Sequence, residues 1–305
     1  MAVRIELPVP FPLGSVNAWL FPGERPTLVD CGIGGTFDAL VGAVRKAGVD
    51  PATLNLHITH GHVDHAGNAR ALRDGFGVPL IAPRVEAPFV ETFRRDEGPR
   101  NDRYAAALHA HGMPAERVAR IRAESDAIDA HLDDCPIEAE PEPELRFGDE
   151  AVQTLHLPGH TPGSTGWLLE ESILTGDTLL ERITSNAVEL KDDDHGAFHQ
   201  YVQTLDAMRR YVGLEALPGH HAAFQITDAV LDRHLERHQK RRDLIRSLLD
   251  RPKTAWQLFP DVFPGLHGED HHFMGMAEIV GHLHSLQIDG LVTCTETEGV
   301  RRWTT

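Results

Sequence analysis

Between Thr59 and Gly67 the chain reads Thr-His-Gly-His-Val-Asp-His-Ala-Gly, and this run constrains it more than any other feature. Three histidines and one carboxylate (His60, His62, Asp64, His65) fall within six positions, separated only by Gly61 and Val63. Imidazole nitrogen and carboxylate oxygen are the donor set for zinc-like divalent ions, and carboxylate oxygen also suits manganese or iron. Residues 54–59 ahead of the run alternate apolar and polar, which predicts a strand with Leu54, Leu56 and Ile58 on one face. The strand end delivers His60. In extended chain, residues two apart point the same way, so His60 and His62 can grip one ion. The chain then turns, and Asp64 and His65 lead into a helix expected over residues 67–73, whose first turn can aim them at a second position. His57, on the strand itself, reads as a packed or rim histidine and not a ligand.

Three later segments each set one metal-type donor beside a glycine after an apolar run: Leu157-Pro158-Gly159-His160-Thr161-Pro162-Gly163-Ser164, Thr175-Gly176-Asp177, and Leu217-Pro218-Gly219-His220. The four segments, in that order, resemble the metallo-β-lactamase superfamily over roughly residues 5–225. The resemblance implies an α/β chain folded as a four-layer αββα sandwich. It implies two adjacent divalent ions, expected to be zinc, with iron or manganese able to replace one. His60, His62 and His160 match the ligands of the first, Asp64, His65 and His220 those of the second, and Asp177 the carboxylate that bridges both. Asp64 is also placed to take the proton of the water between the ions, which would give a catalytic role to a ligand. Asp30 matches an aspartate that braces the metal loop. His221, where the family often has glycine, is the rival of His220. Seven donors exceed what a single tetrahedral zinc needs. Two ions can share a hydroxide whose parent water has a pKa near 7, a nucleophile at neutral pH.

The remaining composition narrows the partners. With 41 % hydrophobic and 25 % charged residues the chain is ordinary globular material, and its formal net charge of −17 repels polyanions. Nucleic acid is therefore disfavoured unless a local basic patch exists. Cys31, Cys135 and Cys294 are few and widely spaced, and they read as reduced thiols. No apolar leader and no membrane-length apolar run stands out, so a cytoplasmic location is expected.

Two regions depart from the strand pattern. Residues 84–146 carry helical patterns at 101–111 and 115–128, with nine Arg against fifteen Asp and Glu, and end in a Pro-broken acidic stretch expected to be an extended linker. This resembles the helical insertions that cover the metal site in relatives acting on small organic substrates. His109 and His111, two apart on a helix, face away from each other and are expected at the surface. After residue 226 the pattern becomes helix (227–250), helix (255–259), helix (273–286) and a closing hairpin. That order resembles the winged-helix appendage of one branch of the superfamily. The expected organisation is a catalytic domain over 1–226, with 84–146 inserted, and a C-terminal winged-helix-like domain over 227–305. A DNA-reading helix needs basic or amide side chains on its exposed face, and residues 275–287 contain no Lys or Arg, so packing or homodimerisation is the expected role.

Other chemistries fit less well. Gly32, Gly34 and Gly35 lack the Lys and Ser/Thr of a phosphate loop and read as a turn into a helix over 36–48. Ser164 lacks an uncommitted base and reads as a local turn cap. Di-iron oxygen-reducing relatives usually carry glutamate where this chain keeps His62. The expectation is a hydrolase of a small acyl substrate (thioester, lactone or related ester) acting through a metal-bridging hydroxide. The alternative is a metal-dependent endoribonuclease or phosphodiesterase of the same superfamily.

Overall fold

The computed structural model describes residues 2–10, 13–187, 196–266 and 269–305, the side chains of 269–271 excepted. It divides into two compact units. The first comprises Met1–Asp96, Ile128–Ser185 and Arg210–Thr227, and the second Glu97–Ala127, Asn186–Arg209 and Asp228–Thr305.

The first unit holds two six-stranded mixed sheets. One runs in the order β1 (Val3–Pro8), β2 (Ser15–Phe21), β3 (Thr27–Val29), β4 (Asn55–His57), β5 (Leu80–Ile81), β6 (Ile137–Ala139). The other contains β7 (Glu144–Phe147), β8 (Glu150–His156), β9 (Thr165–Leu168), β10 (Ser172–Gly176), β11 (Glu215–Pro218) and β12 (Phe224–Gln225), also in sequence order. Period-two alternation sorts the first sheet's side chains. Val16, Ala18, Leu20, Leu28, Leu56 and Ile58 pack with Leu40, Val41 and Val44 of helix α1 (Phe37–Lys46) and Leu72 of α3 (Ala69–Phe76). On the opposite face Trp19, Phe21 and Val29 meet Phe147, Val152, Trp167 and Leu174 of the second sheet. Helix, sheet and sheet thus lie in successive layers.

Between α1 and α3 the short helix α2 (Val63–Ala66) begins at His62, so Asp64 and His65 lie within its first turn, ahead of the expected helix start. The acidic stretch after residue 136 is not a free linker: Ile137–Ala139 pairs with β5, and Glu144–Phe147 pairs with β8. Of the insertion, only the segment through Asp96, which includes α4 (Ala87–Val90), and the region from residue 128 onward belong to this unit.

The second unit is helical. It contains α5 (Glu97–Ala110), α6 (Ala115–Asp129, its last residues passing into the first unit), α7 (Ala197–Ala207), α8 (Asp228–Ser247), α9 (Ala255–Val262), α10 (Glu269–Ile288) and a hairpin of β13 (Thr293–Thr297) and β14 (Val300–Thr304). Leu108, Val118 and Ile121 of α5 and α6 share one apolar core with Ile245, Leu258, Trp303 and the α10 stripe Met276, Ile279, Val280, Leu283 and Leu286. A capping box, Thr254 with Gln257, starts α9. His111 is not at the surface as expected. It is buried, stacked 6.2 Å from the Trp303 ring, because the hairpin that covers it comes from the far end of the chain.

His57 lies in the inter-sheet layer, its ring 4.9 Å from Phe147 and 5.7 Å from Trp167. Burial pushes its imidazole down to about 3, below the usual 6.5. A folded-state pKa below the unfolded one favours the unfolded chain once protons bind it. The contribution is intact above about pH 6.5 and is lost as pH falls toward 3. His57→Leu should therefore flatten the fall of stability with acid by about 1.4 kcal/mol per pH unit in that window. Urea unfolding of both proteins across the window reads the difference, and parallel curves would refute it.

Candidate metal centre

The connectivity of the two sheets brings the motif loops to one edge. Strands β3 and β4 are parallel, so Asp30 and His60 follow strand ends on the same side. Strands β10 and β11 are also parallel and deliver Asp177 and His220 together. Strand β9 runs antiparallel to β10, so the His160 loop enters from that same side. Ligands gather at the carboxyl ends of parallel strands for this reason. Backbone bonds lock the two edges: Thr165 N–H donates to the Thr59 carbonyl (2.8 Å) and Asn17 N–H to the Gly219 carbonyl (2.7 Å).

The seven candidate residues converge on one buried space. Nε2 of His60, Nδ1 of His62 and Nε2 of His160 lie 3.0–3.1 Å from one another. Donors 2.0–2.1 Å from a tetrahedral zinc stand about 3.3 Å apart, so this trio needs only slight opening to hold an ion. Asp64, His65 and His220 form a second trio, with His220 Nε2 3.3 Å from Asp64 Oδ2. Asp177 stands between them. Its Oδ1 is 3.5 Å from His65 Nε2, and its Oδ2 is 3.4 Å from His220 Nε2 and 3.8 Å from His160 Nε2. Nε2 of His65, Nε2 of His220 and Oδ1 of Asp177 are buried without a hydrogen bond, all aimed at this space. His65, His220 and His60 form the floor; half-buried His62 is the most open of the seven.

The opposite nitrogens of His60, His65, His160 and His220 are tied down, which fixes the orientation and tautomer of those rings. His65 Nδ1 donates to Asp30 Oδ2 (2.8 Å), and His220 Nδ1 to the Ser15 carbonyl (2.6 Å). His60 Nδ1 meets Thr59 Oγ (3.0 Å), and His160 Nδ1 meets Ser185 Oγ (2.8 Å). Asp30 also accepts from the Thr59 amide and hydroxyl while held at φ 62°, a left-handed conformation that a non-glycine residue keeps only when its surroundings enforce it. Thr59, Ser185 and Ser15 carry no signal in the sequence, since hydroxyls and a carbonyl are everywhere; Asp30 was legible only through the resemblance.

Electrostatics divide the site. Burial pulls His60 well below the usual imidazole range and His62 down to about 3, so their lone pairs are free for a cation. Burial also opposes charge on His65 and His220. There the carboxylates, Asp177 foremost, prevail: His65 is held well above its usual range and His220 at about 10. Burial would raise Asp64 and Asp177, but His65 and His220 keep both below the usual carboxylate range. The second half of the site therefore calls for positive charge at the atoms a divalent ion would meet. The donor set, the convergence and the unbonded buried atoms all fit divalent ions.

His221 points elsewhere. It is exposed at φ 66°, the backbone that explains why glycine suits this position, and its carbonyl accepts from Asn17 Nδ2 (2.7 Å). Ser164 Oγ accepts from the Thr161 amide (3.0 Å) within its own turn. Another donor group, His238, Glu278 and His282 of the second unit, has both rings 3.8–3.9 Å from Glu278 Oε1, but Arg241 already binds that oxygen and balances its charge.

Asp177→Ala should lose metal from both positions, because one carboxylate faces both trios; elemental analysis showing full content would refute that role. His220→Ala should cost metal and activity severely and His221→Ala little, and the reverse order would exchange their roles.

Residues 11–220 match the model of the metallo-beta-lactamase superfamily. The chain is 24% identical over 304 residues to the probable metallo-hydrolase YqjP of Bacillus subtilis (strain 168), covering 95% of this chain and 93% of that protein. It is 30% identical over 138 residues to hydroxyacylglutathione hydrolase GloC of Haemophilus influenzae, 44% of this chain and 54% of that protein. The structure of the metallo-beta-lactamase family protein TTHA1429 from Thermus thermophilus shares the fold with a TM-score of 0.84 at 24% identity, covering 99% of this chain and 98% of that one. With the family model matched over more than half its length, the chain belongs to the metallo-β-lactamase superfamily of metal-dependent hydrolases.

Proposed function

We propose that this chain hydrolyses a small acyl substrate (a thioester, lactone or related ester) at a two-ion site. The observation that carries the reading is the pair of trios sharing Asp177. His60, His62 and His160 would hold one ion, Asp64, His65 and His220 the other, and Asp177 both; zinc is the expected metal. Such a pair supplies a hydroxide nucleophile at neutral pH and a Lewis acid for the carbonyl.

The chain's own residues do the rest. The Asp64 carboxylate, less deeply buried than His65 and His220, is the group placed to accept the proton of the attacking water. Asp30 and the Ser15 carbonyl keep His65 and His220 aimed during that transfer. The low exposure of the donors keeps bulk water out and strengthens every charge interaction within.

Charge favours an acyl substrate over RNA. A polyanion meets repulsion from a chain of net charge −17, while a small neutral or singly charged ester meets far less. The similarity to a protein named as a hydroxyacylglutathione hydrolase supports thioester cleavage in the same direction. Zinc-loaded protein should hydrolyse members of a thioester and lactone panel. Asp64→Asn should lower kcat by at least the roughly 10²–10⁴-fold of a general base while leaving the circular dichroism spectrum unchanged. Faster cleavage of single-stranded RNA than of any acyl compound, lost in Asp64→Asn, would replace this reading with the nuclease one.

A further inference from the structure

Glu86 is a fully buried carboxylate outside the seven candidate donors, on the 3-10 turn Arg84–Glu86 that leads into α4. Its two oxygens accept from two different motif loops. Oε2 takes the Gly61 N–H at 2.8 Å and Oε1 the Gly163 N–H at 2.7 Å. Gly61 lies between His60 and His62, and Gly163 lies three residues after His160. One carboxylate therefore joins the loops that supply every member of the first trio, although those loops are about a hundred residues apart in sequence.

The glycines make room for it. A Cβ on Gly61 would sit 2.4 Å from the Phe89 Cβ and 3.1 Å from Glu86 Oε2. A Cβ on Gly163 would sit 2.6 Å from Glu86 Oε1 and 2.6 Å from the Val85 side chain. Two motif glycines thus have a shared physical reason: the backbone must come within hydrogen-bond reach of one side chain. The turn carrying Glu86 is anchored in its own right. Arg84 N–H donates to Glu140 (2.9 Å), and Cys135 N–H donates to the Val90 carbonyl (2.7 Å). Phe89, on the same segment, stands 6.3 Å from the His62 ring, edge to face.

We propose that Glu86 is a positioning residue that sets the spacing of His60, His62 and His160 by clamping their two loops together. It acts through the ligands and touches neither ion nor substrate. The two backbone donors come from different loops and meet different oxygens, an arrangement that a carboxylate offers and an amide does not. The clamp favours one half of the centre, because His65 and His220 of the second trio are held by Asp30 and the Ser15 carbonyl instead.

The inference rests on the two-ion reading of the site and not on the acyl substrate, so metal uptake is the readout. Zn2+ is titrated into the metal-depleted 305-residue chain against a chromophoric chelator, and the unaltered chain should show two binding steps. Glu86→Ala should weaken one step by about 10–100-fold and leave the other within about threefold. Glu86→Gln, which keeps one acceptor oxygen, should fall between the two and carries the test if the alanine variant does not fold. In a His220→Ala background, where the His60–His62–His160 trio alone is complete, the same change should weaken the remaining ion. Equal weakening of both steps, or of neither, overturns the positioning role. Uptake of a single ion by the unaltered chain overturns the two-ion reading along with it, whereas failure to cleave acyl compounds leaves this result untouched.

Discussion

Buried negative charge is the constraint on which the first unit depends. Asp30, Asp64 and Asp177 are all less than one-tenth exposed and lie against the rings of His65, His160 and His220. A carboxylate taken out of water costs several kcal/mol unless charge and hydrogen bonds are returned to it. Asp30 is compensated within the protein by the Thr59 amide, the Thr59 hydroxyl and the His65 ring. Asp64 and Asp177 face ring nitrogens at 3.3–3.8 Å, too long for good hydrogen bonds but suited to a shared cation. The fold can bury these groups because the metal chemistry of the superfamily brings the missing positive charge.

That arrangement follows from strand direction. Antiparallel strands alone would scatter the four motif loops between both ends of the sheets. The parallel pairs β3–β4 and β10–β11 put Asp30, His60, Asp177 and His220 at one edge, and β9 returns the His160 loop to it. The inter-sheet aromatic layer of Trp19, Phe21, Phe147 and Trp167 then sets the distance between the edges. His57, two residues ahead of the motif, belongs to that layer and not to the metal centre.

The second unit shows a different economy. The unit takes helices from three separated stretches of chain, and within its hydrophobic cluster the two insertion helices are packing partners of α9 and α10. The apolar stripe of α10 is consumed by that core, and Arg241, lying 4.6 Å from the Phe263 ring, neutralises Glu278 between His238 and His282. Among the described residues no helix is long and apolar enough to cross a membrane.

Much of the centre was legible from residue types because metal donors are chemically rare: four donors in six positions, and three further donors each beside a glycine, named all seven residues that now converge. Helix positions such as α1 and the α10 stripe were legible because periodicity is local. Other features were not. The acidic stretch 138–144 looked like a linker because strand pairing depends on a partner far along the chain. His111 looked exposed because its cover, Trp303, lies at the other terminus. Glu86 resembled any acidic residue of an acidic insertion, and nothing in its neighbours announced that it would hold Gly61 and Gly163. By itself the sequence determined which groups could bind metal, since donor chemistry resides in the side chains. Only the tertiary structure decided which donors share an ion, which ring nitrogen each presents and what clamps their loops, since those are distances between segments that only folding brings together.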